Sequence, residues 1–132
     1  MCDPVLPRPT DAELDILRVL WDLGPSTVRD VHTTLQRQRE IGYTTVLKLM
    51  QIMAAKGLVA RDETARAHVY QAKVAREQTQ RQLVGHLLDR AFGGSDAKLM
   101  MQALSGRKAS AEELAQMLQM LADFEQGKET QP

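Results

Sequence analysis

The stretch Gly42–Ala72, GYTTVLKLMQIMAAKGLVARDETARAHVYQA, decides the fold of this chain. In its first part Val46, Leu49, Met50 and Met53 form one apolar stripe at helical spacing, while Thr44, Lys48, Gln51 and Ala55 fall on the opposite face. A helix is therefore expected from about Tyr43 to Lys56, ended by Gly57. The pattern then changes character. Leu58–Arg61 and Ala67–Gln71 are short β-prone runs, and the polar segment 62–66 between them reads as the turn of a hairpin.

Toward the N-terminus, Thr10-Asp11-Ala12-Glu13 has the form of a capping box. It opens a helix over about Asp11–Leu23, with Leu14, Leu17, Val19, Leu20 and Trp21 on one broad face and Gly24-Pro25 as its stop. Ser26 or Thr27 caps a second helix through about Gln38, in which Val28, Val31 and Leu35 repeat at helical spacing. The polar stretch ending in Gly42 connects it to the third. Three helices followed by a two-stranded hairpin is the order of a winged helix-turn-helix.

Beyond the hairpin the pattern is helical again from about Ala75. Leu83, Val84, Leu87, Leu88 and Phe92 share a face until Gly93-Gly94. Helices over about Asp96–Leu104 and Ala111–Glu125 follow, the last opened by Ser110 and Glu113 and carrying Leu114, Met117, Leu121 and Phe124 at heptad-like spacing. These three helices hold too few apolar residues to close a core of their own, so their stripes call for a partner surface. A second copy of the chain is the simplest partner, which assigns Leu83, Leu87, Leu88, Leu114, Met117, Leu121 and Phe124 to dimerisation. The expected fold is mainly α with a small β-hairpin wing: a winged helix over residues 1–74 and a C-terminal helical dimerisation region over 75–132.

Composition narrows the function. The 132 residues carry a net charge of +0, so the chain does not grip nucleic acid as a bulk polycation. Charge is nevertheless unevenly placed: residues 29–73 contain eight Lys or Arg against four acids, whereas residues 1–28 contain two against five. With 43% hydrophobic but only 4% aromatic residues, the core must be aliphatic. Cys2 is the only cysteine, no run approaches the roughly 18 apolar residues of a membrane span, and the N-terminus lacks the layout of a signal peptide. A cytoplasmic protein is expected.

In a winged helix the third helix is the one that enters the major groove of DNA. Thr44 and Thr45 can meet phosphates or thymine methyls, Lys48 a guanine or phosphate, Gln51 an adenine, and Tyr43 the backbone. Taken alone, those residues better suit a plain solvated face; the hairpin tips the balance toward double-stranded DNA. Arg61, Arg66 and His68 lie at or beside its tip, where cations reach the backbone or minor groove. Arg66 is the better candidate, since Arg61 has Asp62 and Glu63 beside it. Trp21 reads as a core anchor.

No enzyme signature appears: there is no nucleophile elbow, P-loop or dinucleotide fingerprint. His32, His68, His86 and Cys2 have no ligand-like spacing, so neither metal nor cofactor is expected. Two other readings of a winged helix stay open, a protein-interaction module and a regulator with a small-molecule pocket in its dimer interface.

Three segments carry a family resemblance: LRVLWDLGPSTVRDV (Leu17–Val31), GYTTVLKLMQIMAAKGLV (Gly42–Val59) and RAHVYQA (Arg66–Ala72). Together they resemble the penicillinase repressor family, and the order of the C-terminal helices extends the likeness over nearly the whole chain. The resemblance implies an operator-bound homodimer that silences antibiotic-resistance genes, often with a membrane sensor metalloprotease as partner. It also implies induction by cleavage in the C-terminal helices. The corresponding place here is Gln102-Ala103, in KLMMQAL, where better-known members have Asn-Phe. The copper-sensing relatives end in a cysteine cluster, which this chain lacks, so copper derepression is excluded on ligand grounds.

Overall fold

The computed structural model describes residues 7–105 and 110–127. The chain divides into two compact units, residues 1–86 and 87–132, with the boundary inside the fourth helix.

In the first unit α1 (Asp11–Leu23) starts at the capping box read from the sequence. Thr10 Oγ1 accepts from the Glu13 amide at 3.2 Å, and Glu13 Oε1 accepts from the Thr10 amide at 2.9 Å. At α2 (Val28–Gln36) the cap is Thr27, paired reciprocally with Asp30. This helix ends two residues earlier than expected, because Arg37, Gln38 and Arg39 turn back onto the carbonyls of Thr34 and Leu35. α3 (Tyr43–Lys56) keeps its expected bounds. Gly57 ends it in the left-handed region at φ 86°, which lets the Leu58 amide reach the Met53 carbonyl at 2.9 Å.

The wing differs from the expected two-stranded hairpin. Its strands are β2 (Val59–Asp62) and β3 (Val69–Ala72), each displaced by a residue or two from the sequence reading. A third strand, β1 (Ser26–Thr27), pairs antiparallel with β3, giving the order β1-β3-β2. Tyr70 sits at the centre, opposite Ser26 on one side and Arg61 on the other.

The core lies where α1, α2 and α3 meet the sheet. Ile16, Leu17, Leu20, Val31, Leu35, Val46, Met50, Met53, Leu58, Val59 and Tyr70 are all buried there. Each large apolar side chain removed from water contributes roughly 1.5–3 kcal/mol, and no comparable cluster exists elsewhere among the described residues. On α3 the stripe is centred on Val46, Met50 and Met53, with Leu47 and Leu49 half-buried at its edges.

α4 (Arg76–Ala91) begins one residue later than expected and leaves the first unit at His86. The second unit holds the rest of α4, α5 (Asp96–Leu104), capped by Ser95, and α6 (Ala111–Glu125), opened by a Ser110–Glu113 capping box. Neither α5 nor α6 buries a single residue, and in α4 only Thr79, in its first turns, is buried. No described helix is long and apolar enough to cross a membrane.

Candidate nucleic-acid interface

The apolar stripe of α3 is pulled into the core, and that fixes what its other face presents. Tyr43, Thr44, Thr45, Lys48, Gln51, Ile52 and Ala55 are exposed. Gly42 at the N-cap offers no side chain to the first amides of the helix. The entry to α3 is instead held from α2: His32 Nε2 lies 2.9 Å from the Ile41 carbonyl, a distance at which the ring N–H donates to it. The His32 ring also meets Tyr43 edge to face, with centroids 5.7 Å apart and planes at 84°.

Beside this face the wing, α2 and α3 enclose a cleft of about 970 Å³. Of the residues singled out from the sequence, Tyr43, Gln51, Arg61, Arg66 and His68 line it together. Thr44, Thr45 and Lys48 do not line it and stand exposed on α3 instead. Arg29 and Thr33, exposed one turn apart on α2, face the cleft too. Sequence reasoning passed over both, although their i, i+4 spacing opposite Val28, Val31 and Leu35 marks an outward stripe.

The cations in and around the cleft differ in how committed they are. Arg61 Nη2 pairs with Glu63 Oε2 at 2.6 Å, and hydrogen bonding to Tyr70 and then to Glu63 raises its affinity for its proton. That pairing is the one anticipated from the neighbouring acids. Arg66, Arg29 and Lys48 have no hydrogen-bond or ionic partner among the described residues, so their charge is available to a ligand. At the wing tip Asp62 Oδ1 accepts from the Thr64 amide at 2.9 Å and its hydroxyl at 2.7 Å, which lowers the Asp62 pKa and ties down the turn before Arg66. His68 is exposed at the cleft, whereas Tyr70, two residues on, is buried. Unpaired cations, hydroxyls and an amide on an exposed helix beside a wing form a surface suited to a polyanion with a readable edge.

The remaining residues named from the sequence lie elsewhere. Leu87, Leu114, Leu121 and Phe124 are exposed, while Leu83, Leu88 and Met117 are half-exposed. Gln102 and Ala103 are exposed near the end of α5. Trp21 packs against the core edge as expected, with its indole N–H donating to the Val74 carbonyl at 3.0 Å.

Comparison with known proteins agrees with this architecture. The penicillinase repressor family model matches residues 9–123. The chain is 31% identical over 130 residues to the transcriptional regulator BlaI of Mycobacterium tuberculosis strain H37Rv, an alignment covering 96% of this chain and 92% of that protein. Among solved structures, the DNA-binding domain of the repressor BlaI superposes on 56% of this chain and 90% of its own, with a TM-score of 0.50 at 20% identity, so the winged-helix fold is shared. With a family match that spans both units, the chain belongs to the penicillinase repressor family of winged-helix, DNA-binding transcriptional repressors.

Proposed function

We propose that the protein is a homodimeric repressor that places two copies of α3 in successive major grooves of a dyad-symmetric operator and so blocks a promoter. Thr44, Thr45, Lys48 and Gln51 contact DNA from α3, Tyr43 contacts the backbone, and Arg66 contacts it from the wing. The observation that carries the reading is the exposed polar face of α3 beside the unpaired Arg66. In functional terms residues 1–74 bind DNA and residues 75–132 dimerise.

The dimer rests on the apolar surface of the C-terminal helices. Leu87, Met100, Met101, Leu104, Leu114, Leu118, Met120, Leu121 and Phe124 are each at least 40% exposed, in a unit with no buried residue among those described. So concentrated an apolar surface marks an interaction site rather than a solvated face. An isologous dimer covers it on both chains at once, and the C-terminal seam runs through Leu83, Leu87, Leu88, Leu114, Met117, Leu121 and Phe124.

Release follows from loss of the dimer, because two linked contacts bind far more tightly than one. A cut between Gln102 and Ala103 by a membrane sensor metalloprotease would separate α6 from α4 and divide the seam. Both residues are exposed but helical, so α5 must unwind locally before a protease can take the bond in extended form.

Fluorescence anisotropy with DNA from upstream of the protein's own gene and with scrambled DNA, at two salt concentrations, tests the reading. The upstream DNA is expected to bind at least about 10³-fold more tightly. Equal, weak binding to both that collapses with salt would reject it.

A further inference from the structure

Where α1 ends and α4 begins, two contacts meet on one indole and a third ties the cation above it to α1. The Trp21 N–H donates to the Val74 carbonyl at 3.0 Å, two residues before α4. The Arg76 guanidinium, on the first residue of α4, lies 5.5 Å from the Trp21 ring centroid. The same guanidinium pairs with the carboxylate of Asp22, the next residue of α1. A planar guanidinium can do both at once, stacking its face on the ring while its edge meets the carboxylate.

These groups are poor candidates for a device of general stability. The side chains of Arg76 and Asp22 are 40% and 68% exposed, and ion pairs so open to solvent add little to folding. Their geometry does something else: it ties the first turn of α4 to the end of α1. A helix of 16 residues is about 24 Å long, so a swing of about 10° at its base moves its far end by about 4 Å. That displacement is close to the rise of one base pair, about 3.4 Å.

We propose that Trp21, Asp22 and Arg76 form a clamp that locks the base of α4 onto α1 and thereby sets the separation of the two recognition helices in the dimer. The proposal rests on the dimeric reading above. The three are positioning residues: they touch no DNA and act on operator choice through α4. Loosening the clamp leaves each winged helix competent for a single half-site but lets the pair sample several separations.

The test is a distance measurement by pulsed dipolar spectroscopy. The full-length protein carries a spin label at Gln36→Cys, an exposed site at the end of α2, in a Cys2→Ser background. The unaltered clamp is expected to give one narrow distance distribution. Arg76→Ala and, separately, Trp21→Phe are expected to broaden it by about 4 Å or more, with dimer mass and half-site binding unchanged. Arg76→Lys, which keeps the charge but not the plane, is expected to broaden it less than Arg76→Ala but more than the unaltered clamp. Arg76→Ala removes only a surface side chain, so it answers even if Trp21→Phe disturbs the fold. Identical distributions with and without the clamp would overturn the proposal and leave the dimer standing. Absence of any dipolar signal in the labelled protein with its clamp intact would overturn both.

Discussion

Lys56 Nζ lies 2.7 Å from Glu13 Oε1, joining the last residue of α3 to the first turn of α1. The same oxygen accepts from the Thr10 amide, so one buried carboxylate both caps α1 and anchors α3. Burial alone raises the Glu13 pKa, but the Lys56 and Thr10 donors outweigh it and leave the group below its ordinary value of 4.5.

A folded-state pKa below the unfolded one stabilises the protein in full above the unfolded value and is lost as pH falls through the folded one. The Glu13 contribution is therefore expected to be present at neutral pH and to fade as pH drops below about 4.5. Lys56→Met leaves the carboxylate buried without its partner and is expected to cost about 1–3 kcal/mol at pH 7 and to move acid unfolding to higher pH. Glu13→Gln removes the charge along with the pairing and is expected to cost less. Urea denaturation at pH 7 and pH 4 measures both; equal costs for the two variants at both pH values would contradict this assignment.

Lys48 and Arg66 are expected to act through charge. Lys48→Ala or Arg66→Ala should weaken binding to all sequences alike and reduce the slope of log affinity against log salt by about two for each variant, about one per subunit, with dimer mass intact. Gln51→Ala should differ in kind, costing about 1–3 kcal/mol on the operator and relaxing preference at a single base pair. Salt-dependent anisotropy on operator and mismatched duplexes separates the two behaviours. An unchanged affinity for Lys48→Ala would remove that residue from the interface.

Leu121→Glu places a charge on a leucine that is 48% exposed in the single chain and buried in the proposed seam. Light scattering is expected to show monomers, with the melting of the winged unit unchanged because none of its core residues is touched. A dimer that survives would put the seam elsewhere on the helices.

How far the structure could be read in the sequence followed the range of the interactions. The Thr10–Glu13, Thr27–Asp30 and Ser110–Glu113 boxes and the Gly57 stop are written within a few residues, and the helices begin and end close to them. β1 is different in kind: Ser26 and Thr27 are too few to show an alternation, and they become a strand only by pairing with Tyr70 and Val69 far along the chain. Within the candidate interface the outward residues of α3 were legible from its stripe. The spacing of Arg29 and Thr33 marks them as outward but not as part of the interface, because only the packing of α2 against α3 and the wing turns them toward the cleft. The role of His32 in holding the entry to α3 likewise depends on a contact across the loop to Ile41 and Tyr43.

The central claim, that two recognition helices read a dyad-symmetric site, is tested most directly by hydroxyl-radical footprinting of the full-length protein on DNA upstream of its own gene. The account expects paired patches of protection arranged symmetrically about a dyad, with centres separated by about 10 bp or a multiple of it. A single unpaired patch, or weak protection spread evenly along the fragment, would contradict it.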